Sequence, residues 1–258
     1  MNLSRLLYIG SNPKALSFIA KDVLSCARFY ALSLSGDSRT ELVSRIHADR
    51  LSYLSRGAML DLYDAAVATV DRGIPGIFLE AGCALGGTAL VLANARPIST
   101  PLHVYDTFDL IPEPSPKDGS DVEGRYEIIK MGYAKGIRGD RYYGYQNNLS
   151  DLVSATFLGY GFPIKSSGIS LIKGRFNDTM KFDDNEKIAF AHIDCDWHDS
   201  VKTCLERIFP RLSIGGTIVI DDYHAWTGCR MAVNEFLSKN SDQIKQFVKS
   251  RLHLTKIS

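Results

Sequence analysis

The sequence predicts an α/β chain built as a doubly wound sheet, with a helical N-terminal extension and a lid insertion. Three observations predict it. From Ile77 onward, short aliphatic runs alternate with stretches of helical apolar spacing. Two of those runs, 188–193 and 217–220, are too continuously apolar for strands covered on one face only. Each of these two ends in an acidic cluster, Asp194-Cys195-Asp196 and Asp221-Asp222. In open α/β sheets, ligands gather beyond the carboxyl ends of buried strands, so the clusters mark a mouth.

Taken in order, the apolar positions from residue 14 to about 70 recur at helical spacing, in Leu16, Phe18, Ile19, Val23 and Leu24 and again in Leu51, Leu54, Met59, Leu60, Leu62 and Tyr63. Residues 1–72 are therefore assigned to a helical N-terminal segment, and 73–258 to the sheet domain. Gly73-Ile74-Pro75-Gly76 breaks the helix and 77–82 reads as the first buried strand. A helix over 88–95, strands over 103–106, 170–173 and 189–193, and a helix over 200–209 follow. The turn Ser213-Ile214-Gly215-Gly216 then leads into a strand over 217–220. Between about 111 and 163 the pattern changes. Pro112, Pro114 and Pro116 precede a polar, Gly- and Tyr-rich stretch, with a helix returning over 148–159. An insertion that keeps its aromatics reads as a lid or substrate loop, with an ordinary surface excursion as the alternative.

Composition narrows the function. At 258 residues, 45% hydrophobic and 23% charged, the chain fits one globular α/β domain. Its 30 basic and 29 acidic side chains leave almost no net charge, which argues against a nucleic-acid partner bound through a phosphate-neutralising face. The five cysteines are scattered and lack C-x-x-C spacing, as expected of a reducing compartment. No run approaches a membrane span and no signal-peptide h-region is evident, so the expectation is a cytoplasmic protein without a membrane partner.

Carboxylates crowded into one mouth repel one another unless a cation or proton sits among them, and an oxygen-only cluster suits Mg²⁺. A single Asp at a strand end also serves as an ordinary helix N-cap, a role open to Asp196 or Asp199 before the helix near Ser200. The adjacent pair Asp221-Asp222 exceeds what one cap requires. On the other side of the mouth, the first strand ends in Glu80-Ala81-Gly82-Cys83-Ala84-Leu85-Gly86-Gly87-Thr88. This is E-x-G-x-x-x-G rather than G-x-G-x-x-G, and it has no Lys-Ser or Lys-Thr for phosphates. An acid before the glycine suits an ammonium-bearing ligand. Asp106, at the end of the next strand, suits ribose hydroxyls. A ligand with an amino-acid end and a ribose is S-adenosylmethionine.

These residues resemble the macrocin, mycinamicin and noviose O-methyltransferases that tailor antibiotic sugars. The resemblance runs through Gly73-Ile74-Pro75-Gly76, Leu79-Glu80-Ala81-Gly82, Tyr105-Asp106-Thr107-Phe108 and Lys173-Gly174-Arg175-Phe176-Asn177-Asp178-Thr179. It continues through His192-Ile193-Asp194-Cys195-Asp196, Leu212-Ser213-Ile214-Gly215-Gly216 and Ile220-Asp221-Asp222-Tyr223. It implies a Rossmann-like class I methyltransferase sheet, with S-adenosylmethionine and Mg²⁺ as cofactors and a sugar or glycoside hydroxyl as acceptor. By the same resemblance, Asp194, Asp221 and Asp222 hold the metal and Asp196 is the general base. Glu80, Gly82, Thr88, Asp106, Gly174, Arg175 and Phe176 line the cofactor, and a homo-oligomer is implied. The chain departs from the family pattern at Trp197-His198-Asp199-Ser200, where a Tyr, an acid and a Ser are usual. His198 is open to three roles: substrate contact, alternative catalytic base, or packing against the lid. A metal-dependent phosphotransferase or hydrolase on a similar sheet, a catechol-type phenol O-methyltransferase, and a non-catalytic protein of the same fold remain as rival readings.

Overall fold

The computed structural model describes residues 13–258, with side chains from Phe18 onward. Among these residues, β1 (Ile77–Ala81), β2 (Leu102–Asp106), β3 (Ile169–Lys173), β4 (Ile188–Ile193), β5 (Leu212–Ile220), β6 (Ile244–Val248) and β7 (Leu252–Lys256) form one sheet in the order β3-β2-β1-β4-β5-β7-β6. The first five are parallel, and β7 runs antiparallel to both β5 and β6. The strand order reverses between β1 and β4, the switch point at which ligands bind in such sheets.

The helices are α1 (Pro13–Leu34), α2 (Ser38–Ala48), α3 (Arg56–Asp71), α4 (Gly87–Ala95), α5 (Ser120–Lys130), α6 (Leu149–Gly159), the short α7 (Phe176–Thr179), α8 (His198–Ile208) and α9 (Thr227–Asn240). They cover both faces of the sheet, which is why β1 and β4 are buried along their whole length. On one face Phe78, Val104, Phe190 and Val219 pack with Met59 and Leu62 of α3 and Leu90 of α4, and the same core reaches Phe29 of α1 and Ile46 of α2. On the other face, Leu79, Ile193, Ile218 and Leu254 meet Val201 and Leu205 of α8 and Val233 of α9.

Among the described residues, the helical N-terminal segment forms three helices. It shares its core with the sheet, so residue 72 marks a change of structure within one packed body rather than a boundary between two. Asp61 of α3 ties the segment down further. It accepts from Ser25 Oγ of α1 at 2.6 Å and from Ser250 Oγ, in the β6–β7 turn, at 2.8 Å. The expected contribution of Leu16 lies outside the described side chains.

Two expectations are corrected. Ser213–Gly216 is not a turn before the fifth strand but a bulge inside it: Ile188 pairs with Leu212 and Phe190 with Thr217, so four residues of β5 oppose one of β4. Gly215 takes a φ of +81° there, which a side chain would disfavour. The sheet also does not end at β5. The C-terminal hairpin β6–β7 extends it, and β6 exposes the three residues at its centre, so its sequence lacks the apolar run that betrays a buried strand.

The insertion after β2 carries α5 in addition to the expected helix α6. It is anchored rather than loose. Trp197 Nε1 donates to the Pro112 carbonyl at 2.9 Å, the His198 amide donates to Asp118 Oδ1 at 2.8 Å, and Lys117 Nζ reaches Glu235 at 3.0 Å.

Candidate active site

The parallel register aligns the carboxyl ends of β1, β2, β4 and β5, and the ladder bonds continue beyond them. Asp194 N–H donates to Ala81 O at 2.9 Å, Asp221 N–H to Ile193 O at 3.0 Å, and Gly82 N–H to Tyr105 O at 2.8 Å. A cavity of about 190 Å³ opens there, walled by Gly82, Asp106, Tyr143, Arg175, Phe176, Asn177, Asp194 and Asp196. Gly82 is required by its neighbours: it has a φ of +89°, and a Cβ on it would stand 1.9 Å from the Asp194 carbonyl oxygen.

On the β4–β5 side, one ligand atom from each of Asp194, Asp221 and Asp222 lies within 4.8 Å of the others. The Asp194 carboxylate accepts no hydrogen bond from the described residues. Burial, with the charges of Asp221 and Asp222, pushes it well above the usual carboxylate range. Burial, then Asp196 and Asp221, do the same to Asp222, against a hydrogen bond from the Asp196 amide at 3.1 Å. A half-buried acid without a donor, facing two more acids, fits a hard divalent cation.

Asp196 belongs to the same group. Burial raises it to about 6, a hydrogen bond with the Trp226 side chain pulls the other way, and the Asp221 charge adds to the rise. Its φ is +56°, and the Trp197 amide bonds back across it to Cys195 O at 2.6 Å. A non-glycine residue held in this region costs of order 1–3 kcal/mol, and the conformation aims the carboxylate into the cavity.

The β1–β2 side is organised differently. Glu80 is fully buried: His192 Nδ1 lies 3.1 Å from both of its oxygens, and Thr88 Oγ1 donates to it. The register explains the pairing, since Glu80 and His192 are cross-strand neighbours on β1 and β4. Burial works against the His192 imidazolium, and the Glu80 charge and hydrogen bond outweigh it, raising His192 above its ordinary value. Neither Glu80 nor Thr88 lines the cavity. Asp106 does line it, and its carboxylate accepts from the amides of Cys83 at 2.8 Å, Ala84 at 3.1 Å and Phe108 at 2.7 Å. Burial raises Asp106 and these amides oppose the rise. Arg175 and Phe176 line the cavity. Gly174 stands behind them, its amide on Asp106 O at 2.9 Å.

His198 is fully buried and does not itself line the cavity. Its Nδ1 lies 2.7 Å from Asp199, which does line it, and its Nε2 3.3 Å from Glu235 of α9. Two side chains escaped the sequence reading. Tyr143 is the lid tyrosine that reaches the cavity, its phenol pushed well up by burial and by the charges of Tyr142, Asp196 and Asp106. Arg251 joins the acidic cluster through Asp221 Oδ1. A lone Arg in a polar C-terminal stretch carries no signal without the β5–β7 register.

The sheet order, the antiparallel β7 and the glycine turn after β1 together define the class I methyltransferase fold. The solved structure of the O-methyltransferase NovP superposes with a TM-score of 0.65 at 18% identity, covering 81% of this chain and 83% of that one. A calicheamicin methyltransferase superposes at 0.56 and 17%, covering 95% and 93%. The chain belongs to the macrocin O-methyltransferase (TylF) family, whose model it matches over residues 50–250. It is similar to 8-demethyl-8-(2,3-dimethoxy-alpha-L-rhamnosyl)-tetracenomycin-C 4'-O-methyltransferase of Streptomyces olivaceus, at 29% identity over 182 residues, 69% of this chain and 64% of that protein. It is also similar to demethyldecarbamoylnovobiocin O-methyltransferase of Streptomyces niveus, at 26% over 176 residues, 66% of this chain and 61% of that protein. The matches thus span less than two thirds of these curated relatives' own length.

Proposed function

We propose that this protein transfers the methyl group of S-adenosylmethionine to a hydroxyl of a sugar carried on a glycosylated natural product, assisted by Mg²⁺ at Asp194, Asp221 and Asp222. The observation that carries the reading is the carboxylate cluster. Its three ligand atoms lie within 4.8 Å of one another, and its member Asp194 shares one cavity with the inward-facing Asp196, Gly82, Asp106 and Phe176. The names of the relatives, which methylate a rhamnosyl tetracenomycin and a novobiocin precursor, supply the acceptor class.

Bound Mg²⁺ supplies a Lewis acid that lowers the pKa of the acceptor hydroxyl. The chain's own residues do the rest. Asp196 takes the hydroxyl proton as the C–O bond forms and the S–CH₃ bond breaks. Asp106 fixes the turn after β1 that shapes the cofactor end, and Tyr143 closes the cavity from the lid side, limiting water. Phosphate chemistry is the poorer reading, because the loop amides that would cradle a phosphate, those of Cys83 and Ala84, are committed to the Asp106 carboxylate.

Two further properties complete the reading. All five cysteines are free, in keeping with a cytoplasmic setting, and no helix among the described residues is long and apolar enough to cross a membrane. Val23, Leu24 and Leu34 of α1 are 61%, 67% and 92% exposed, which favours assembly as a homo-oligomer, to be checked by light scattering. The test of function is calorimetric titration with S-adenosylhomocysteine with and without Mg²⁺, followed by methyl transfer to a panel of glycosides and catechols. Cofactor binding with Mg²⁺-dependent transfer to a glycoside is the expected result. Transfer to catechols alone moves the acceptor class, and failure to bind the cofactor overturns the reading.

A further inference from the structure

We infer that Arg251 is a positioning residue of the metal centre, and that through it Mg²⁺ affinity depends on the docking of helix α1. The inference rests on the proposed role of Asp194, Asp221 and Asp222 as ligands. In the antiparallel β5–β7 pair Ile220 lies opposite Leu252, so the residues one step beyond, Asp221 and Arg251, meet at the mouth. Arg251 Nε donates to Asp221 Oδ1, and Nη1 donates to the Ser250 carbonyl at 2.8 Å. The Arg251 side chain is only 14% exposed.

The far side of the guanidinium is held by α1. Asp22 Oδ1 lies 3.6 Å from Nη1, and the guanidinium carbon stands 5.5 Å over the ring of Phe18. Asp22 is itself fixed, accepting from Ser55 Oγ, the N-cap of α3, at 2.8 Å. One guanidinium therefore connects the N-terminal helix to a metal-ligating carboxylate. Its flat fork and permanent charge suit it to bridge two carboxylates from opposite sides.

Two effects of Arg251 on a bound cation compete. Its positive charge repels a divalent ion, whereas its grip on Asp221 keeps three mutually repelling acids assembled before the ion arrives. The second effect wins. Without a cation behind it, Asp221 relaxes away from Asp194 and Asp222, and ion binding must then restore the cluster. Partners that orient a metal ligand in this way change affinity by roughly 10–100-fold.

The test is calorimetric titration of the full chain with MgCl₂ in the presence of saturating S-adenosylhomocysteine. Arg251→Met is expected to weaken Mg²⁺ binding by roughly 10–100-fold, Arg251→Lys to recover part of the loss, and Asp22→Asn to weaken it several-fold, all with unchanged S-adenosylhomocysteine affinity. Unchanged or tighter Mg²⁺ binding in Arg251→Met overturns the inference, because charge repulsion then dominates. Should that variant fail to fold, Arg251→Lys and Asp22→Asn decide the matter, and wild-type Mg²⁺ affinity in both overturns it. Asp221→Ala separates the two levels. If it binds Mg²⁺ as tightly as wild type, the ligand assignment fails and the inference falls with it. If it binds weakly while the Arg251 variants do not, only the inference fails.

Discussion

At the β1–β2 half of the mouth, Glu80 and Asp106 are hydrogen-bonded from within the protein, by His192, Thr88 and three backbone amides. At the β4–β5 half, Asp194 accepts no hydrogen bond from the described residues and stands in a cluster of carboxylates within 4.8 Å. The residue type and the position at a strand end are the same. The supply of donors differs. A buried acid with its own donors organises backbone, and one deprived of them, among like charges, suits the cation site proposed above. Removing an acid should therefore have opposite consequences on the two sides.

The largest effect is expected from Asp221→Ala. It should abolish Mg²⁺-dependent turnover and weaken Mg²⁺ binding by more than the roughly 10–100-fold that losing a ligand's partner costs, while S-adenosylhomocysteine affinity stays within a few-fold of wild type. Parallel calorimetric titrations check this, and equal loss of both affinities would contradict the division between the two halves.

Asp106→Ala comes next and should behave in the converse way. The buried amides of Cys83 and Phe108 lose their acceptor, at roughly 1–3 kcal/mol for each donor left unpaired. Denaturant unfolding should show lower stability, and cofactor affinity should fall by roughly 1–3 kcal/mol as the turn loosens. A variant of unchanged stability would show that the amides find water instead, and that Asp106 acts on the ligand alone.

The same contrast holds between two buried histidines. His192 has Glu80 beside it, whereas neither ring nitrogen of His253 has a hydrogen-bond partner among the described residues, and its ring stacks on Phe247 at 4.6 Å. Burial pushes His253 from 6.5 down to about 4, the charges of Lys249 and His192 lowering it further and that of Asp61 opposing them. Because the folded value lies below the unfolded one, protonation favours the unfolded chain. This stability is complete above about pH 6.5 and is lost as pH falls toward 4, the loss reaching about 2 kcal/mol by pH 5. His253→Leu should flatten that part of the stability profile, and an unaltered acid limb in denaturant titrations would exclude His253 as its source.

The parallel strands and the acidic cluster were legible because both leave local marks: continuous apolar runs and adjacent acids at their ends. The rest depends on pairing. β6 and β7 alternate short and polar, and become strands only because β5 offers an edge. Ser213–Gly216 reads as a turn because its glycines mark a bulge and a bend alike. Arg251 lies 30 residues from Asp221, and the antiparallel register alone joins them. His198 was named from its type and place in the chain, whereas the Glu235 that meets its Nε2 lies on a helix the sequence did not announce. Glu80 was correctly placed at the strand end, yet the cross-strand His192 that occupies it follows from the β1–β4 register.

The smallest expected effect is the sharpest test of the comparison, because its sign is unusual. Asp194→Asn keeps the shape of a half-buried side chain, removes a charge that repels Asp221 and Asp222, and leaves no donor stranded. In the absence of divalent ions the variant should be more stable than wild type by about 1 kcal/mol near neutral pH, a small part of the repulsion between like charges at this separation. Adding Mg²⁺ should reverse the order, since the wild-type cluster gains ligand binding energy that the amide forfeits. Thermal unfolding with EDTA and with excess MgCl₂ measures both signs in one series. A variant destabilised in both conditions would mean that Asp194 is satisfied in the metal-free protein, and the two halves of the mouth would no longer differ in kind.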